Sequence, residues 1–190
     1  MIKRVKLDTK TIALGATFAA LTIVLNISPV KIPAPYAPYL IYQIWEIPIV
    51  AAFLLYGLAA SILIAIINTL VLLAVFPGML ITGPIYNFAA VMSMLFGLVM
   101  PKIGKRNPQK YNEKSAVAMF TTFGIIFRVV IMTFVNWTFL RFPPPVGFGL
   151  PEEAVVASLP FIAFFNATLA FYTIPIGYLI AKAIKSRVKV

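Results

Sequence analysis

Two charged side chains stand where the sequence is otherwise oily, and they are the first residues that call for chemistry. Arg128 lies about midway along the apolar run 116–140, and Glu46, at the start of the run 44–56, is the acid expected to meet it. A guanidinium at hydrocarbon depth costs about 2.5–3.5 kcal/mol or more, so it needs a partner. An Arg128–Glu46 pair reads equally as an ion pair that fixes packing and as part of a ligand site. Asn68, Asn87, Asn136 and Asn166 add four carboxamides in four different apolar runs, each with donors and an acceptor that hydrocarbon leaves unanswered. Singly, each suits an interhelical hydrogen bond worth about 0.6 kcal/mol. Gathered around one interior with Arg128 and Glu46, they would line a hollow for a neutral, hydrogen-bonding solute. Tyr36, Tyr39, Tyr42, Trp45 and Tyr86 fall near the ends of these runs, as an interfacial aromatic belt does. Stacking of some of them on a flat ring ligand is the sharper reading.

Much chemistry is excluded by residue types alone. The chain has no histidine and no cysteine, which removes thiolate nucleophiles, disulfides, haem ligation and the usual zinc spheres, and no metal site is expected. There is no phosphate-cradling Gly-Lys-Ser/Thr loop, no paired aspartates of a headgroup transferase and no nucleophile–base pair inside an apolar run. The sequence therefore reads as a non-enzyme with no catalytic residues and no cofactor, and any energy source must come from a partner.

The elements that position these residues follow from composition. Of 190 residues, 62% are hydrophobic and 11% charged, against about 25% charged in soluble domains, so lipid must cover the outside. The expected architecture is an all-α integral membrane domain of six helices, over 11–27, 44–56, 59–76, 84–100, 116–140 and 157–183. The first run is too long for a signal-peptide core and reads as a helix. The second is short for a span of about 20 residues, which suggests tilt or packing inside protein. Pro29, Pro33, Pro35 and Pro38 make 28–39 a loop, Pro101 is expected to end the fourth helix, and Pro175 to kink the sixth near Phe171 and Tyr172.

Most of the basic residues gather in three places: Lys3, Arg4, Lys6 and Lys10; Lys102, Lys105, Arg106, Lys110 and Lys114; and Lys182, Lys185, Arg187 and Lys189. Six spans put all three on one side, so the positive-inside rule makes both termini cytoplasmic and the proline-rich loops 28–39, 77–83 and 141–156 an outer lid. The net charge of +11 is thereby a topology signal, and no nucleic-acid groove element accompanies it. Ala13, Ala16 and Ala20, beside Gly15 and Ala19, give the first helix a small-residue stripe that lets another helix approach closely.

Four stretches carry a resemblance to a known family: Pro38-Tyr-Leu-Ile-Tyr-Gln-Ile-Trp-Glu-Ile-Pro48 running into Phe53-Leu-Leu-Tyr-Gly57; Asn87-Phe88; Arg128-Val-Val-Ile-Met132 with Asn136; and Leu159-Pro-Phe161 with Phe165-Asn166. In order and spacing over most of the chain, the sequence resembles the substrate-binding S components of energy-coupling factor (ECF) vitamin transporters, above all the riboflavin-specific branch. The resemblance implies a six-helix bundle in the cell membrane whose pocket opens outward under the first extracellular loop. It implies a high-affinity capture subunit that takes riboflavin or a related vitamin through Tyr42, Trp45, Glu46, Asn68, Tyr86, Asn87, Arg128, Asn136 and Asn166. It also implies docking, through Ala16 and Ala20, on a transmembrane coupling subunit driven by two ATPase subunits. The sequence departs from the riboflavin pattern after Asn166, where Ala167, Thr168 and Leu169 stand in place of a lysine, and near Asn68, where another lysine is usual. An S component for a different vitamin therefore stays open, as does a self-contained ion-coupled carrier or channel, although the inverted repeats of such carriers are not visible.

Overall fold

Backbone at membrane depth has no water to bond to, so segments there satisfy their own N–H and C=O groups by coiling. The computed structural model describes residues 9–75, 82–103 and 112–187, and six helices account for most of them. In chain order these are α1 (Thr9–Ile27), a hairpin of β1 (Ile32–Ala34) and β2 (Ala37–Tyr42), α2 (Ile47–Tyr56), α3 (Leu58–Val75), α4 (Thr82–Ile103), α5 (Glu113–Phe139) and α6 (Glu152–Arg187). Four of them, α3 to α6, are long and apolar enough to cross a membrane, while α1 and α2 supply shorter apolar stretches. Their outward faces carry Leu63, Leu70, Phe134, Phe164, Phe171 and Leu179, all exposed. Water does not tolerate so continuous an apolar coat, and lipid does.

Several boundaries differ from those expected, each for a local reason. The stretch 28–39, expected as a loop, contains β1 and the start of β2, paired antiparallel with Ile32 opposite Tyr42 and an irregularity between Pro33 and Ala34. Both strands of a two-stranded ribbon are edges, so a proline without N–H removes only an outward-facing donor. α4 runs past Pro101 to Ile103, because a proline so near a helix end removes a single bond, that to the Gly97 carbonyl. α6 begins at Glu152 instead of 157, with Glu152 and Glu153 in the first turn where the helix dipole favours acids, and it continues unbroken through Pro160 and Pro175. Pro160, which a helix starting at 157 would carry in its opening turn, thus lies inside the helix. Of the expected lid segment 77–83, residues 77–81 lie outside the described ones.

Helices α2, α3, α4, α5 and α6 pack in a ring, each against the next, and α1 lies against α2 and α3. Within this packing α2 is buried from Ile47 to Phe53 and again at Tyr56. Ten residues give about 15 Å of helix, half the hydrocarbon thickness. Burial in protein is what makes so short a helix, and the non-helical residues leading into it, tolerable at depth. Gly57, at φ 90°, turns the chain from α2 into α3, a conformation few other residues adopt. Where α6 crosses α2, a Cβ on Gly177 would stand 2.8 Å from Val50 Cβ and 3.2 Å from the Ile47 carbonyl oxygen. Only glycine lets the two helices approach this closely, and the approach fixes where α2 begins.

The buried face of α5 recurs every four residues, at Ala116, Phe120, Gly124, Arg128, Met132 and Asn136. That spacing follows one ridge of the helix and turns Arg128, Met132 and Asn136 toward the same interior. On α6 the buried set Ile162, Asn166, Leu169, Ala170 and Thr173 forms the facing stripe.

Candidate functional site

Glu46 is the residue just before α2, with helical dihedrals, and its side chain makes no capping bond to that helix. Its carboxylate is engaged elsewhere. Arg128 reaches it from α5 with both terminal nitrogens: Nη1 bonds Oε2, and Nη2 bonds Oε1 at 2.9 Å. The third arm of the guanidinium, Nε, donates to Oδ1 of Asn166 on α6 at 2.9 Å, and Nη1 also lies 3.7 Å from Met94 Sδ on α4. Arg128 is 2% exposed and Glu46 3%. Two-pronged geometry and a satisfied third arm are what a charge pair needs to survive outside water. Four helices thereby meet at one neutral polar node.

Beside the node is a cavity of about 770 Å³, within the range of small-molecule sites. Its floor carries Glu46, Arg128, Asn136 and Asn166; β2 contributes Tyr39, Leu40 and Ile41; and the rest of the wall is mainly apolar side chains from α4, α6 and the segment after α5. Asn136 donates its amide N–H to its own helix, to the Met132 carbonyl at 2.7 Å, which leaves the carboxamide oxygen available. Asn166 likewise donates to the Ile162 carbonyl at 2.9 Å while accepting from Arg128. Asn87, half-buried, and Trp45, almost wholly buried, complete the polar and aromatic lining, with Tyr86 at the rim near Phe148.

All the expected substrate-binding residues line this cavity except two. Asn68 is 1% exposed on α3, and its Oδ1 accepts from Asn26 Nδ2 of α1 at 3.2 Å, so it joins those two helices away from the cavity. Tyr42 sits behind the wall, its ring 4.9 Å from that of Phe165. Its hydroxyl links Tyr36, at 2.6 Å, to Thr168 of α6, at 2.8 Å, and so ties the hairpin to the bundle. The Tyr36 ring adds a stacked contact with Phe161 and an edge contact with Phe164. Burial, and after it the hydrogen bond with Tyr42, pushes the Tyr36 phenol up to about 12. Ala16 and Ala20 lie exposed on the outer face of α1, opposite its buried Phe18, Thr22 and Asn26.

The residue that sequence reading passed over is Gln43, which lines the cavity between β2 and α2. Glutamine in a short link reads as solvent-exposed, and only the pattern of apolar residues around it hinted otherwise. Phe148, Phe161 and Phe165 were equally hidden as lining, being three phenylalanines among sixteen.

No protein-family model and no curated protein matches the chain. Among solved structures, the S component of a bacterial ECF transporter matches with a TM-score of 0.73 at 22% sequence identity, over 95% of this chain and 98% of that one. The fold is that of an S component. On this fold the Arg128 node and β2 of the hairpin line the same cavity.

Proposed function

We propose that this chain is the substrate-capture subunit of an ECF importer and that its ligand is riboflavin or a closely related flat, uncharged vitamin. The observation that carries the reading is the cavity: apolar and aromatic walls around carboxamides, with the buried cation Arg128 already neutralised by Glu46. An ionised ligand would meet no opposite charge to offset its desolvation, whereas a neutral ring with hydrogen-bonding edges meets Asn87, Asn136 and Asn166. The positive-inside rule, applied to the basic residues near the ends of the chain, supports a hairpin facing the exterior of the cell membrane, and on this reading the ligand enters under the hairpin. Ala16 and Ala20 form the exposed stripe that docks the transmembrane coupling subunit, and two ATPase subunits supply the energy this chain lacks. The test is flavin fluorescence on the detergent-purified protein: saturable quenching at submicromolar riboflavin is expected, and none would remove riboflavin as the ligand. With the coupling module present, Ala16→Leu with Ala20→Leu is expected to abolish uptake and leave quenching intact.

A second vitamin is the alternative that a specific observation favours. Thr168 stands where the riboflavin pattern carries a lysine nearby, and its hydroxyl is committed to Tyr42. Competition of bound riboflavin by other neutral ring vitamins separates the two readings.

A further inference from the structure

The cavity is graded from one end to the other. Among its described lining residues, the buried ones include Glu46, Arg128, Asn136 and Asn166, whereas the exposed ones are Tyr39, Phe148, Leu150, Ala154, Ala157 and Phe161. Charges and buried carboxamides thus lie inside, and the part that meets the surroundings is apolar, half of it aromatic. Protein binding surfaces commonly run the other way, apolar at the centre and polar at the rim. Lipid does not explain the inversion, because Tyr39 stands on β2 and Phe148 on the irregular segment after α5, and hydrocarbon does not surround such backbone.

Phe148 is also held in place. Its own N–H and that of Leu150 bond the Leu140 carbonyl, each at 3.2 Å, and the N–H of Gly149, a residue at φ 65°, bonds the Phe142 carbonyl at 2.8 Å. A Cβ on Gly147 would collide with the Phe139 and Phe142 carbonyl oxygens, so the turn closes only on glycine. From α4, Thr82 Oγ1 donates to the Pro145 carbonyl at 2.8 Å, and the Tyr86 ring meets that of Phe148 edge-on at 6.4 Å. A ring that is 43% exposed yet fixed through its backbone loses little freedom when something packs on it.

Resting on the pocket reading above, we propose that Phe148 is a specificity-determining residue: an aromatic part of an uncharged ligand packs on its ring at the exposed end of the cavity, with the ligand's hydrogen-bonding end directed inward to Asn136 and Asn166. The gradient of the lining fixes the direction, since the reverse orientation would set polar groups against rings and apolar groups against carboxamides. On a flavin the outward part is the methyl-bearing benzene edge, and the inward part carries the imide edge or the ribityl chain.

The experiment titrates the full-length protein in detergent with riboflavin and with its analogue lacking the two methyl groups of the benzene ring, followed by flavin fluorescence. Wild type is expected to bind riboflavin about tenfold more tightly than the analogue, and Phe148→Ala to reduce that ratio to about twofold or less. Phe148→Trp, which keeps a ring at the position, is expected to hold the ratio and to shorten the fluorescence lifetime of the bound flavin, since an indole against the flavin ring quenches it by electron transfer. Ratios and lifetimes belong to the bound fraction, so a general loss of folded protein does not imitate the result, and Phe148→Trp decides if Phe148→Ala does not fold. A ratio that survives Phe148→Ala, equal binding of both ligands by wild type, or an unchanged lifetime in Phe148→Trp overturns the role of Phe148 while riboflavin binding stands. Should wild type bind no flavin, the riboflavin reading falls and Phe148 is judged by mass spectrometry of small molecules released from wild type and Phe148→Ala purified from the same membranes. An occupant with an aromatic ring, kept by wild type and depleted in the variant, supports the proposal; equal occupancy, an occupant without such a ring, or no occupant overturns it.

Discussion

Two places in this bundle bury hydrogen-bonding side chains, and they do it to different ends. Between α1 and α3, Asn26 and Asn68 meet at 3.2 Å, away from the cavity. Between α2, α5 and α6, Glu46, Arg128 and Asn166 meet as tightly, but a cavity of about 770 Å³ lies against them. Polarity at depth is common to both and therefore does not by itself mark a site. The second place differs in having space, lining carboxamides with bonding capacity left over, and a buried charge that needs contributions from three helices to be tolerated. A pair of asparagines holds two helices together; a charged node beside a hollow can hold a third thing.

The largest effect should come from splitting the ion pair. Arg128→Met leaves the Glu46 carboxylate buried and alone, and a loss of about 3–5 kcal/mol in unfolding stability in detergent is expected. Combining it with Glu46→Leu removes both charges and should restore most of that stability, since a buried pair contributes little against an apolar replacement. Ligand affinity should stay lost in the double variant. If the double variant binds normally, the node is only a fastening, and the contrast with Asn26–Asn68 disappears.

A smaller and crossed pattern is expected for the asparagines. Asn68→Leu strands Asn26 and should lower stability by about 1–3 kcal/mol while leaving the dissociation constant within about twofold of wild type. Asn136→Leu, which breaks only a bond to its own helix, should do the reverse, weakening the ligand about tenfold at a stability change under about 1 kcal/mol. Calorimetric unfolding alongside quenching titrations gives both numbers for each variant. Parallel behaviour of the two asparagines would erase the distinction between the regions.

These residues also show what the sequence could disclose. Helix count and the Arg128–Glu46 pairing were legible because oil is an unforgiving solvent: an apolar run must coil, and a cation within one must find an acid. Asn136 and Asn166 were legible for the same reason, as polar atoms inside long runs. Asn68, expected among the cavity residues, pairs with Asn26 instead, and that pairing was hidden because Asn26 stands at the end of α1, where a polar residue reads as a boundary and not as one side of a pair. The hairpin was missed because four prolines outweighed the alternation of β2, although a two-stranded ribbon has only edges and tolerates them. Tyr42 and Gln43 were hidden by that same hairpin, since strand pairing, which sequence spacing does not give, decides which of them faces the cavity.

The smallest effect concerns the hairpin, whose β2 walls the cavity. Its hydroxyl chain from Tyr36 through Tyr42 to Thr168 is built on neutral phenols. The Tyr36 phenol is raised from 10.0 to about 12, so the docked hairpin favours its protonated form. The sign follows: the stability this provides is complete below pH 10, the undocked value, and is lost as pH rises from about 10 to about 12. Across that window ligand dissociation measured by stopped-flow quenching should accelerate by a few-fold beyond the general alkaline effect, and Tyr36→Phe, which cannot ionise, should lack the extra acceleration. The general alkaline effect acts on both proteins, so the difference between wild type and Tyr36→Phe is the quantity to read. Were the two curves to coincide, the hydroxyl chain would be a bystander, and the hairpin would rest on its ring contacts, those of Tyr36 with Phe161 and Phe164 and of Tyr42 with Phe165.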